Sequence, residues 1–92
     1  MSQRIKELAQ KLRASGDHNR LKILCLLLKD QKFCVSDIAQ KLNLDIAVVS
    51  YHLQTLLREK IVQTTRDGKK ICYKIRPSKF NNDLKNLICK YK

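Results

Sequence analysis

The chain has 92 residues, room for one small domain. Leu, Ile, Val and Phe make up about 30% of it, which sets it apart from disordered sequences and predicts a packed core. The formal net charge of +12 favours polyanionic partners, nucleic acid or an acidic membrane surface. The longest apolar run, Ile23 to Leu28, is far short of the ~20 residues a membrane helix needs. Met1-Ser2-Gln3-Arg4 leads into a charged amphipathic stretch and not into an export signal, so the expectation is a cytoplasmic protein without a membrane partner.

Taken in chain order, Ile5, Leu8, Ala9 and Leu12 have helical spacing and predict an amphipathic helix over 3–14. Ser15-Gly16 ends it, and Asp17 is placed to cap a second helix. That helix carries Leu21, Leu24, Cys25, Leu27 and Leu28 around most of its circumference, the pattern of a central core helix. Ser36 is expected to cap a short third helix with Ile38, Ala39 and Leu42. After Asn43-Leu44, Asp45 is expected to cap a fourth, buried along Val49, Leu53, Leu56 and Leu57. Two short helices across a tight turn form a helix-turn-helix, here 36–60, and the small Ala39 lets them cross closely.

Beyond Ile61 the period becomes two, and Asp67-Gly68 reads as a two-residue hairpin turn. Pairing outward from it sets Arg66 opposite Lys69, Thr64 opposite Ile71 and Val62 opposite Tyr73. One face is then apolar, while Gln63, Thr65, Lys70, Cys72 and Lys74 share a wet one. Pro77 stops the strand, and Ser78 caps a final helix over 78–91 with the stripe Phe80, Leu84, Leu87, Ile88 and Tyr91. The expected fold is mainly α with a β-hairpin, a winged helix-turn-helix in the order α-α-α-α-β-β-α spanning 1–92 as a single domain, with the wing at 61–76.

The outward face of the fourth helix presents Ala47, Ser50, Tyr51, Gln54 and Arg58, with His52 on its flank. Hydroxyl, amide and imidazole groups reach base edges, and Arg58 suits a phosphate. Arg66, Lys69 and Lys70 at the wing tip suit backbone phosphates or a narrow minor groove. The partner read from these residues is double-stranded DNA. A general polyanion footprint, as in an RNA-binding or interaction module, is the alternative, and preference for an inverted repeat over random duplex separates the two. The apolar strips at 3–14 and 78–91 are hard to bury within one short chain, so a homodimer through these helices is expected; its two-fold axis would set two recognition helices about 34 Å apart. Enzymatic readings have little support: His18 and His52 are the only imidazoles, and no phosphate-cradling Gly loop exists. No cofactor is implied.

Asp17-His18-Asn19-Arg20-Leu21-Lys22-Ile23-Leu24, Val35-Ser36-Asp37-Ile38-Ala39 and Val49-Ser50-Tyr51-His52-Leu53 resemble the ArsR/SmtB family of bacterial winged-helix repressors, over about residues 8 to 76. The resemblance implies a homodimer, a two-fold operator and release from DNA by an inducer. The recognition helix opens with Asp45-Ile46-Ala47, where members often carry polar base-reading groups. Zinc-type members use Asp and His on the last helix, which here holds Asp83 and no His. Arsenic- and cadmium-type members carry Cys-Val-Cys where this chain has Cys34-Val35-Ser36, so Cys34 is the candidate thiol of a metal(loid)-responsive alternative.

The sulfur-responsive branch is similar at Ile23-Leu24-Cys25-Leu26-Leu27 and at Cys89, and the likeness implies that reactive sulfur bridges Cys25 and Cys89 as regulatory thiols. Lys22, Lys29, Lys85 and Lys92 lie near them, and cations favour the reactive thiolate, although Lys70 and Lys74 flank Cys72 in the same way. As residues alone, Cys25 and Cys89 also fit core positions. The four cysteines form no Cys-x-x-Cys pair, and no metal site is expected from their spacing.

Overall fold

The computed structural model describes residues 2–29 and 31–92. The element order is α1 (Gln3–Ser15), α2 (His18–Leu26), β1 (Phe33–Cys34), α3 (Val35–Leu42), α4 (Ile46–Arg58), β2 (Val62–Asp67), β3 (Lys70–Ile75) and α5 (Lys79–Tyr91). This is a winged helix-turn-helix with one strand more than the sequence predicted. No described helix is long and apolar enough to cross a membrane.

Local chemistry sets the helix starts. Ser2 Oγ accepts from Ile5 N–H at 3.4 Å, Asp17 Oδ2 from Arg20 N–H at 3.1 Å and Ser78 Oγ from Asn81 N–H at 3.0 Å, each engaging a first-turn donor. The bond from Arg20 N–H holds the Asp17 carboxyl below its usual value. The third helix starts two residues earlier than a cap at Ser36 would set it. Cys34 is its N-cap, and the Asp37 carboxylate reaches back to the Cys34 N–H at 3.3 Å.

Asn43 (φ 54°) closes α3, and Lys60 (φ 62°) closes α4. At the second site Lys60 N–H bonds Leu57 O and Ile61 N–H bonds Leu56 O, both at 3.0 Å. This pair of bonds is a left-handed cap that turns the chain into the wing.

The core is built from Ile23, Leu24, Leu27, Ile38, Val49, Leu53, Leu56 and Ile61, all fully buried, so α2 is central as its sequence implied. Val62, Tyr73 and Ile75 of the hairpin close it on one side, and Leu84 and Ile88 of α5 on another.

The hairpin turn lies one residue later than Asp67-Gly68. Asp67 pairs with Lys70, Arg66 with Ile71, Thr64 with Tyr73 and Val62 with Ile75, leaving Gly68 and Lys69 as the turn. Gly68 has φ 66° at the first central position, where a type II′ turn requires glycine. The slip moves the pairing by two, so every side chain keeps its face.

A second correction concerns Cys72, expected on a wet face but only 2% exposed. β1 adds to the far edge of β3, giving the strand order β1-β3-β2 with Phe33 against Tyr73 and Cys34 against Cys72. Two residues of strand just ahead of a helix leave too short an alternating pattern to show in the sequence.

Candidate DNA-binding surface and thiols

Helix α4 divides sharply by face. Val49, Leu53 and Leu56 are buried, while Tyr51 is 66% exposed and Gln54 and Arg58 are also open. Ser50 is half-buried on the same outward side. Gln54 Nε2 donates to the Tyr73 hydroxyl at 3.5 Å, tying the exposed face of α4 to the base of the wing. Gln54, Leu57, Thr64, Arg66, Ile71 and Tyr73 line a cleft of about 500 Å³ between them. Arg66, Lys69 and Lys70 are exposed at the wing tip. Of the predicted base-reading and phosphate-binding groups, Gln54 of α4 and Arg66 of the wing thus line one cleft.

His52 departs from its expected place. It is 8% exposed, and its Nδ1 lies 3.0 Å from Arg20 Nη1. Arg20 Nε in turn donates to Ala14 O at 2.6 Å. The imidazole thus joins α4 to the end of α1 and the start of α2. Periodicity alone left it on the boundary of the helix face, and its partner 32 residues away decided the side.

Three further features mark this surface. Ile46 and Val48 are 59% and 36% exposed at the start of α4, and with Ala47 they form an apolar tip suited to thymine methyl groups. Arg13 joins Arg20, Tyr51 and Arg58 around a polar cleft of about 300 Å³ beside α4, although it belongs to a different helix. Its position in the last turn of α1 was the available signal. Arg58 also has an acidic neighbour, Glu59 Oε2, 4.0 Å from its Nε.

The thiols fall into two settings. Cys25 is half-buried and lines an apolar groove of about 430 Å³ between α2 and α5, with Leu21, Leu84, Leu87, Ile88 and Tyr91. Cys89 is exposed on α5 and is not part of that lining. By contrast, Cys34 and Cys72 are directly paired across β1 and β3, and both are buried. The neighbouring Cys34 thiol, together with burial, pushes the Cys72 thiol up to about 11. All four are free cysteines. Among the described residues, no group of three or more His, Cys, Asp or Glu side chains converges as a metal site would require. A metal at Cys34 would find Cys72 as its nearest thiol.

On α1, Ile5, Leu8 and Leu12 are 50%, 42% and 53% exposed, and on α5 Leu87 and Tyr91 are 52% and 86% exposed. The terminal helices thus carry apolar strips that one chain leaves uncovered.

Comparison with known proteins follows the same lines. Residues 17–64 match the family model described as bacterial regulatory protein, arsR family. The chain is 38% identical over 67 residues to the cadmium resistance transcriptional regulatory protein CadC of Listeria innocua, covering 73% of this chain and 56% of that protein. The transcriptional activator HlyU of Vibrio cholerae is 34% identical over 62 residues, covering 67% of this chain and 56% of that protein. The chain therefore spans little more than half the length of these relatives. In structure it is similar to HlyU from Vibrio cholerae, with a TM-score of 0.87 at 26% identity over 99% of this chain and 97% of that one. It also resembles the homodimeric winged helix-turn-helix DNA-binding domain Mb0332 of Mycobacterium bovis, with a TM-score of 0.80 at 25% identity over 99% and 83% of the two chains. These relatives are regulators and not enzymes, and the chain belongs to the arsR family of bacterial regulatory proteins.

Proposed function

We propose that this chain is a cytoplasmic, homodimeric transcriptional repressor that binds an inverted-repeat operator and leaves it when reactive sulfur modifies Cys25 and Cys89. The observation that carries the DNA reading is the shared cleft. Gln54 of α4 and Arg66 of the wing line it. Ser50, Tyr51 and Arg58 share the outward side of α4 with Gln54, and Lys69 and Lys70 are exposed at the wing tip beyond Arg66. On a duplex, α4 reads base edges in the major groove while the wing tip holds phosphates. His52 acts from inside by fixing α4 against α1 and α2.

The uncovered strips on α1 and α5 support dimerisation through the terminal helices, with helix-turn-helix 36–60 and wing 61–76 as the DNA-facing part. For the inducer, support comes from Cys25 on the wall of the α2–α5 groove and Cys89 on the open side of α5. Drawing α5 against α2 would reorient the two recognition helices through the dimer interface, and a coupling of only ~1–3 kcal/mol gives a useful response.

Binding to operator and random duplex tests the first part. Tyr51→Ala and Ser50→Ala lower affinity for the operator more than for random DNA. Lys69→Ala weakens both alike and reduces the salt slope by about 1. Equal losses on both DNAs from all three variants overturn base reading by α4. For the inducer, Cys25→Ser and Cys89→Ser each abolish release by persulfide. Release that persists in both removes these thiols from the mechanism.

A further inference from the structure

We propose that Cys34 and Cys72 are a second modification site, a dithiol that a hydroperoxide oxidises to a disulfide stapling the wing to the start of α3 without releasing DNA. The site is separate from Cys25 and Cys89 and does not depend on them. Its basis is register. Cys34 and Cys72 are directly opposed in the antiparallel β1–β3 pair. Such partners have Cα atoms about 4.5 or 5.5 Å apart, and disulfides span about 4.4–6.8 Å. As directly opposed residues, the two side chains share a face of the sheet. Closing the bond requires side-chain rotation and no rearrangement of either strand.

Cys34 is 9% exposed and Cys72 2%, so a small oxidant meets Cys34 first. The Cys34 thiolate attacks one peroxide oxygen. An S–O bond forms, the O–O bond breaks, and the departing oxygen takes a proton to become water or an alcohol. Cys72 then loses its proton and attacks Cys34 Sγ. The S–S bond forms, the S–O bond breaks, and the hydroxide released takes up that proton as water. Two thiols lose two electrons and the peroxide gains them. The high affinity of the Cys72 thiol for its proton makes the second step the slow one near neutrality and faster in mild alkali.

Of the two partners of the bond, β1 leads directly into α3, and β3 is the central strand of the sheet and one arm of the wing. The bond fixes these elements where they already lie, leaves the α4 face and the wing tip untouched, and closes a long loop in the unfolded chain. The consequence is a stiffer DNA-binding unit with its grip intact, the opposite outcome to that proposed for Cys25 and Cys89.

The experiment uses the full chain carrying Cys25→Ser and Cys89→Ser, treated with hydrogen peroxide. Cleavage after Lys and Arg places each native cysteine in its own peptide, 23–29, 33–41, 71–74 and 86–90. The expected product is 33–41 joined to 71–74 within one chain and separated by a dithiol reductant. The melting midpoint rises on the order of 10 °C, and operator affinity is unchanged. Cys34→Ala, folded by circular dichroism, loses both the link and the rise.

If only Cys34 oxidises, if the link joins two chains, or if both peptides remain free thiols, the proposal is overturned. A linked chain that drops the operator overturns the claim that the grip survives. Failure of the reduced chain to prefer an operator counts against the proposed function alone, because the link and the melting shift are read without DNA.

Discussion

From α2 through β2, Ile23, Leu24, Leu27, Ile38, Val49, Leu53, Leu56 and Ile61 are fully buried, whereas α1 and the end of α5 leave Ile5, Leu8, Leu12, Leu87 and Tyr91 between 42% and 86% exposed. Both regions are amphipathic helical sequence, yet one finishes its packing within the chain and the other does not. The cause is position. α3 and α4 are enclosed by α2 on one side and the hairpin on the other, while the terminal helices meet the core along one edge each, through Ala14 and Ser15 of α1 and Leu84 and Ile88 of α5. Polar clasps hold these edges. Lys11 Nζ donates to Glu59 O, and Asn81 Nδ2 donates to Lys60 O, Ile61 O and Arg76 O at 3.2, 3.3 and 2.7 Å. The contrast teaches that the same hydrophobic period serves as core in one place and stays an uncovered apolar strip in another.

The largest expected effect tests the finished half. Leu53→Ala empties a fully buried site on α4 and costs about 2–5 kcal/mol in denaturant unfolding, with no dependence on protein concentration. Leu12→Glu combined with Leu87→Glu tests the unfinished half. It yields a monomer in sedimentation with helical content retained, and a variant that still dimerises would dissolve the contrast. Asn81→Ala addresses the clasp between them. Lys60 O and Arg76 O lose this donor while Ile61 O keeps the Arg76 N–H, at a cost of about 1–3 kcal/mol, with faster hydrogen exchange in α5 than in α4 as the reading.

Two smaller effects sharpen the picture. The raised Cys72 thiol belongs to a group that folding keeps protonated. Its contribution to stability is whole below pH 9 and is lost as pH rises toward about 11, so alkaline unfolding shifts upward in Cys72→Ala relative to the parent's own neutral-pH stability. Lys60→Gly relieves a left-handed residue at the end of α4 and gains up to about 1 kcal/mol in thermal melts.

Much of the molecule was legible in the sequence because its signals are local. The caps at Asp17 and Ser78, the apolar line of α4 and the face alternation of the wing each depend on residues within a few positions of one another. The turn was read one residue early because Asp67-Gly68 fits a type I′ turn as well as Gly68-Lys69 fits type II′, and both keep the same faces. The outward groups of α4 were legible for the same reason, with His52 the exception.

The sequence by itself determined the helices, the hairpin, the outward polar side of α4 and the family, since hydrophobic period, capping chemistry and turn residues act over one or two turns of chain. Tertiary structure alone decided three things: that His52 turns inward to Arg20, that Asn81 secures α5 to the wing through three carbonyls, and that a two-residue strand sets Cys34 beside Cys72. Each joins residues far apart in the chain. Such contacts leave no periodic trace, because the groups meet only after the core has folded around α2 and brought their backbones together.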